Sequence, residues 1–399
     1  MKTLIRPAAR YIRENHCNLY YRVEKAWQWT ENLKRLRYPV IDATVPLLEY
    51  ARHAGWPVTL HAPAQLVERE PSHGISEDME LIGRQWRHLT NEGSHSGMYI
   101  SQLRSQVRYP VEAAFTTRIP EAHISPRGDV LINDDGTPLR VRNWTNSPHC
   151  EGIDEAEIVE GPVVSLLSVF ASSFSHWIYD SLLRVALLPE ETRAQVRYLV
   201  PGKRRKFIDD YLDFFGIRED QRIYTNTWVF CEELIQVETT HRSNMPHPAA
   251  LAAFRSYFGI REKPGSTRVF IGRRTRKLLN EDHVFAVASR FGFKRYFLED
   301  LSLSEQVSLF HDAEFITGYH GAGFANIVYS APGTKVIEIL NPAKWDHAYI
   351  RIAHQLGLEH WHLLVDYRPH TWDASVDINH WEKVLRLATN ATGAADAVY

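Results

Sequence analysis

Three groups of residues have the types and spacing of a site that handles a phosphorylated ligand. Arg273, Arg274, Arg276 and Lys277 place four cations in five residues, directly after the apolar run Arg268–Ile271. Gly318-Tyr319-His320-Gly321-Ala322-Gly323 is a glycine-rich turn between the apolar run Phe315–Thr317 and a segment of helical character, Phe324–Ser330. Arginines bring charge to a dianion, and glycine N–H groups and a helix N-terminus orient it, because no Cβ blocks the approach. His176, Asp180 and Arg184 fall at i, i+4 and i+8 of a predicted helix ending at Leu188 before Pro189, with Ser173 or Ser175 as N-cap. A His with a carboxylate one turn on is a candidate acid–base pair; the bland alternative is a solvent-facing ion pair worth ~0.3–0.5 kcal/mol.

The surrounding pattern positions these groups on an α/β scaffold. Lys335–Leu340, carrying Glu338 among aliphatics, reads as a second buried strand after the glycine turn, stopped from fusing with the helix by Pro332-Gly333. Strands are expected at Arg268–Ile271, Lys294–Phe297 and Trp361–Val365, and helices from Asn280 to Phe291, Leu303 to Asp312 and Asp377 to Ala388. Ser302 with Glu305 three residues on is a capping-box signature. Upstream, Asp135-Gly136 between aliphatic runs predicts a β-hairpin, and turn chemistry accounts for the Asp134-Asp135 pair without a metal. Lys203-Arg204-Arg205-Lys206 opens another predicted helix, where four cations oppose the dipole and need solvent or an anion to offset them. Alternating strands and helices on both sides of a linker at 239–249 predict two α/β domains facing a cleft, 116–245 and 246–399, preceded by a mainly helical extension, 1–115.

Composition narrows the function. A net charge of −2 excludes electrostatic nucleic-acid binding by the molecule as a whole. Three scattered cysteines, Cys17, Cys150 and Cys231, give neither a disulfide framework nor a cysteine zinc site and fit a reducing cytoplasm. No apolar run reaches the ~20 residues needed to span a bilayer, and Met1–Arg10 lacks the apolar core of a signal peptide. Residues 1–39 carry nine Lys/Arg against three Glu with interleaved aromatics. That stretch reads either as peripheral contact with an anionic membrane or as a solvated helix face. No GxxxxGK[ST] and no GxGxxG after the first strand of either half is present, which excludes a P-loop NTPase and disfavours a dinucleotide dehydrogenase.

FSHWIYDSLLR (Phe174–Arg184), FIGRRTRKLLNE (Phe270–Glu281) and GYHGAGFANIVYSAPGTKVIEI (Gly318–Ile339) resemble, in order and spacing, the three blocks of glycosyltransferase family 61. The resemblance covers roughly residues 120–385 and leaves the first 115 without a counterpart. It implies a GT-B architecture of two Rossmann-like domains, with the nucleotide sugar on the C-terminal one and the acceptor toward the N-terminal one. It also implies inversion at the anomeric carbon and no bound metal or other cofactor. The implied reaction moves a sugar from a nucleoside-diphosphate sugar, with a UDP-sugar as the expected donor, to a glycan or lipid-linked glycan acceptor.

Under that resemblance, Arg273, Arg276 and Lys277 take the diphosphate, and Gly321, Ala322 and Gly323 offer N–H donors. His320 sits against the phosphate or sugar, Asn326 braces the loop, and Glu338 accepts from ribose hydroxyls unless it is paired to a core cation. Asp180 or His176 is the base, and Arg184 lies on the acceptor side. Cytoplasmic character and the basic N-terminus point to a bacterial capsular or lipopolysaccharide polysaccharide assembled at the inner membrane face. Rival readings are a polysaccharide pyruvyl transferase and a non-catalytic nucleotide- or glycan-binding protein. His360-Trp361-His362 alternates on a strand, so both His face one side, but no third metal ligand is evident.

Overall fold

The computed structural model describes residues 41–42, 47–75, 78, 103, 106–134, 137–142, 152–242, 245–341, 348–365 and 373–390. The basic N-terminal stretch, Cys17 and Cys150 lie outside them. The described residues form two compact units, one built from residues 258–390 with residues of 67–109, the other from residues of 41–66 with 110–257. Both are mixtures of helix and parallel sheet, as an α/β protein requires.

In the first unit five strands lie in the spatial order Lys294–Tyr296, Thr267–Ile271, Ala313–Tyr319, Lys335–Leu340, Glu359–Leu364, all parallel. Numbered along the chain this is 2-1-3-4-5, a doubly wound order. Such strands are covered on both faces, which is why they read as nearly continuous apolar runs: Phe315, Ile316, Val336, Ile337 and Ile339 are all buried. The helices Glu281–Arg290 and Ile378–Asn390 cover one face, locked by Trp381, whose indole N–H donates to Val284 O at 2.9 Å. Helix Leu303–His311 starts with the expected capping box between Ser302 and Glu305. The strand order reverses between Thr267–Ile271 and Ala313–Tyr319. The connections leaving their carboxyl ends therefore diverge and open a crevice there.

The second unit is built on a mixed sheet. Val229–Glu238 runs parallel to Glu157–Ser165, and Arg197–Pro201 and Arg222–Thr225 continue the parallel block. On its other side Ala114–Ile124 is antiparallel, extended by Val58–Ala62 and by the pair Val130–Asp134 and Thr137–Arg142. Asp134 faces Thr137, as the predicted hairpin requires. Four strands form a continuous parallel block, Ile41–Asp42 adds a short parallel pairing to Thr137–Arg142 at the far edge, and the antiparallel strands between them set this unit apart from the simple Rossmann-like domain expected.

Two expected boundaries shift. Among the described residues of 1–115, helix Leu47–His53 stands with strand Val58–Ala62, which joins the sheet of the second unit, and with Gln65–Arg69 and Val107–Val111, which pair with each other; most of the expected helical extension lies outside the described residues. Residues near 73 dock on the edge strand Glu359–Leu364, where His73 N–H donates to His360 O and His362 N–H to His73 O, both at 2.9 Å. An edge strand needs partners for its backbone, and these come from far upstream in the chain. The expected break at 245/246 falls instead after Tyr257, because helix Pro248–Ser256 buries Phe254 against Phe215 of the second unit. Ser302→Ala removes the cap and is expected to lower stability by about 1 kcal/mol, read by denaturant unfolding with an unchanged m-value.

Candidate functional site

The predicted helix around His176 forms, but not as an ordinary α-helix. Phe174–His176 and Leu183–Leu187 are α-helical, and between them Trp177–Leu182 forms a π-helical turn containing Asp180. Such turns are rare and occur disproportionately at functional sites. Ser173 occupies the N-cap with extended backbone but makes no side-chain cap bond. Trp177 to Leu183 is buried all round, so the helix is an internal element. Ser181 Oγ donates to Leu166 O at 2.7 Å, and Arg184 Nη1 donates to Ser165 O and Leu167 O at 2.6 and 3.1 Å. These carbonyls lie at and just beyond the carboxyl end of strand Glu157–Ser165. The helix is therefore stapled to the end of a parallel sheet where ligands usually bind.

His176 Nδ1 and Asp180 Oδ2 are 2.9 Å apart, with side-chain exposures of 19% and 3%. The dyad predicted from the i, i+4 spacing is formed, and the imidazole is its more accessible member. Phe170, itself exposed, packs its ring 4.9 Å from the His176 ring. Arg184 is corrected: it is 1% exposed and spent on backbone carbonyls, so it does not stand on an acceptor side. The cations at 203–206 need no bound anion, because all four are exposed to solvent and Arg204 pairs with Asp209 and Glu219 and Lys206 with Asp210.

In the other unit a cavity of about 250 Å³ lies in the crevice at the strand-order reversal. Ile271 and Gly272 to Thr275 form one wall, Tyr319 and Gly321 to Phe324 the other, with Leu298 and Glu299 between. Arg273 is the cation positioned here, its Nη1 bonded to His320 O. Gly321 is required by this contact, since a Cβ would lie 2.4 Å from that Nη1. Burial, with Arg276 nearby, pulls the Arg273 guanidinium below its ordinary value, the environment of a cation that an anion would stabilise. Arg274 also borders the cavity, but its charge is met by Asp300 at 2.7 Å and Glu299 at 3.4 Å. Arg276 and Lys277 are exposed on the same loop, and Arg276 holds a left-handed backbone, φ 51°, unusual for a residue with a side chain. A larger open cavity of about 450 Å³ near Thr267 and Asp312 has two carboxylates and no cation in its lining, which suits no phosphate.

On the donor side the bracing contact expected of Asn326 is formed, while the expectations for Glu338 and His320 change. Asn326 is fully buried, donating to Gly323 O at 3.2 Å and Gln306 Oε1 at 3.1 Å, so it braces the turn from beneath. Glu338 has no exposure and cannot meet a ribose: its carboxylate is gripped by His320 Nδ1 at 2.5 Å and His360 Nε2 at 3.1 Å. His320 is correspondingly tied inward through Nδ1 and is 7% exposed. His360 and His362 do share a side, as predicted, and there both meet Ser72 Oγ, at 2.7 and 2.8 Å. Among the described residues no group of three or more His, Cys, Asp or Glu is arranged to hold a metal ion. Nor is any described helix long and apolar enough to cross a membrane. Tyr319, Thr275, Leu298, Glu299 and Phe170 were not singled out from sequence. Tyr319 alone had a signal, its place inside the glycine turn.

Residues 174–337 match the family model described as Glycosyltransferase 61. That span opens at the first residue of the π-centred helix and takes in the arginine loop and the glycine turn, so the segment that carries the candidate residues is similar to glycosyltransferase family 61. The protein is accordingly a glycosyltransferase, an enzyme that takes a sugar donor and a glycan acceptor. No curated protein matches the chain.

Burial pushes the Glu338 carboxyl up, but His320 and His360 outweigh it and hold the group below its ordinary 4.5. As pH falls the unfolded chain takes up this proton first. Glu338 therefore contributes stability that is present above pH 4.5 and lost as pH drops through its folded value. Glu338→Gln is expected to cost about 3–5 kcal/mol at neutral pH and to shrink the stability difference between neutral pH and about pH 3, both measured by urea unfolding.

Proposed function

We propose that this protein is an inverting, metal-independent GT-B glycosyltransferase that uses a nucleoside-diphosphate sugar, UDP-linked, to extend a glycan or lipid-linked glycan. The product is a bacterial surface polysaccharide, capsular or lipopolysaccharide, made at the cytoplasmic face of the membrane. The observation that carries the donor half is the cavity at the strand-order reversal, where Arg273 and the Gly321–Gly323 turn meet inside the family-matched span.

In this reading the diphosphate lies on Arg273 and the turn, with Arg276 and Lys277 adding charge from the same loop. The anomeric carbon–oxygen bond to the diphosphate breaks as the acceptor oxygen attacks from the opposite face, and the departing dianion is stabilised by these cations and N–H groups. His176 takes the acceptor proton, and Asp180 holds the imidazole in the required tautomer. The assignment follows exposure, since the nearly buried carboxylate can orient but the imidazole can meet a hydroxyl.

His176→Ala and Asp180→Asn are expected to lower turnover by about 10²–10⁴-fold with UDP affinity nearly unchanged. Transfer at the parent rate by both variants defeats the assignment. Arg273→Ala should weaken UDP binding, measured by calorimetry, and an unchanged dissociation constant moves the phosphate site elsewhere. Thermal stabilisation of the parent by phosphoenolpyruvate but not by UDP-sugars indicates pyruvyl transfer instead.

A further inference from the structure

Glu338 is one link in a longer buried chain. From His320 Nδ1 the contacts run to Glu338, to His360 Nε2, from His360 Nδ1 to Ser72 Oγ, and from Ser72 Oγ to His362 Nδ1. His362 Nε2 then faces Asp78 Oδ2 at 3.6 Å. Every member is buried: His320 and His360 at 7% and 6% exposure, Asp78 at 2%, and Glu338, Ser72 and His362 at 0%. His360, His362, Ser72 and Asp78 all lie outside the family-matched residues 174–337.

Counting protons fixes the Glu338 end of the chain. An ionised Glu338 can only accept, so His320 must carry a proton on Nδ1 and His360 one on Nε2. The Ser72 hydroxyl has one proton and lies within hydrogen-bond distance of His360 Nδ1, His362 Nδ1 and His360 O. The second nitrogen of an imidazole is set by the bond the first one makes, so the bond to Glu338 sets the tautomer of His320, and Ser72 acts by holding the His360 ring that shares that carboxylate.

The backbone holds the far end in place. His73 N–H to His360 O and His362 N–H to His73 O pair the segment around Ser72 with the edge strand, and Asp78 Oδ1 accepts from Leu364 N–H at 3.1 Å. Ser72 is thereby fixed between the two imidazoles, although 288 residues separate it from His360.

We propose that Ser72 is a positioning residue for the donor turn, acting through His360 and Glu338 to fix the ring of His320 with Nδ1 protonated. Nε2 is thereby assigned to whatever the ring meets on its other side. That this ligand is a nucleoside diphosphate rests on the functional reading above; the fixing of the ring does not.

The test uses the full chain with ¹⁵N-labelled histidine. Long-range ¹H–¹⁵N spectra report the tautomer of each imidazole, and His320→Gln identifies the His320 signals. Ser72→Ala should shift the His320 Nδ1–H signal and speed its exchange with water. It should also weaken UDP binding by about tenfold, the low end of the loss seen when an outer partner of a metal-bound histidine is removed. Ser72→Thr, which keeps the hydroxyl, should restore both. Parent-like His320 signals in Ser72→Ala, with a shift in Glu338→Gln, overturn the proposal, because the chain then ends at Glu338. If Ser72→Ala does not fold, the same two measurements decide on Ser72→Cys, a near-isostere with a weak donor. If UDP does not bind the parent, the donor reading fails and the imidazole spectra alone decide the role of Ser72.

Discussion

A carboxylate inside a parallel sheet has no water to stabilise it, so the protein must. Glu338 sits on strand Lys335–Leu340, flanked by parallel strands on both sides, and its two oxygens are divided between His320 and His360. Separating either imidazole from it leaves a buried charge short of a partner, and breaking such pairs is far more costly than forming them is beneficial. The positions of the glycine turn on one side and of strand Glu359–Leu364 on the other are thus constrained by one side chain. The upstream segment around Ser72 is held by the same network. Sheet, turn and upstream segment become a single structural problem with a single solution.

The distribution of cations around the candidate donor site follows a second rule. A cation already met by a carboxylate offers little to an incoming anion. Arg204, Lys206 and Arg274 are met in this way, and Arg184 is spent on strand-end carbonyls. Four basic residues in one loop therefore do not make four equivalent ligands for phosphate. Fold topology decides which one matters: the strand order reverses beside Arg273, and that is where the cavity opens.

The sequence was most legible where structure is local. Helix Ala348–Gln355 was not expected, but most strands and helices of residues 267–390, the Ser302 capping box and the pairing of Asp134 with Thr137 follow from periodicity, caps and turn residues. So does the His176–Asp180 contact, because i, i+4 geometry is nearly independent of context. What escaped was non-local. Arg184 looked like a solvent-facing residue because its partners are strand carbonyls 17 and 19 residues away. Glu338 looked like a ligand for ribose because an acid between aliphatics has the same pattern whether it meets a ligand or two buried imidazoles. Strand Val58–Ala62 was legible as an apolar run at Pro57–Leu60, but Gln65–Arg69 and Val107–Val111 escaped because each finds its hydrogen-bonding partner about 40 residues away, in the other.

Arg273 and Gly321 have a consequence for how a ligand would arrive. The guanidinium is not waiting in an empty space; it rests on the His320 carbonyl, in the room that the missing Cβ of Gly321 leaves. That carbonyl is a placeholder ligand, neutral and therefore weaker than a phosphate oxygen. Binding would be an exchange at the cation, one acceptor for a stronger one, with the side chain already close to its working position. A carboxylate in the same place would have held the arginine equally well and left it nothing to exchange.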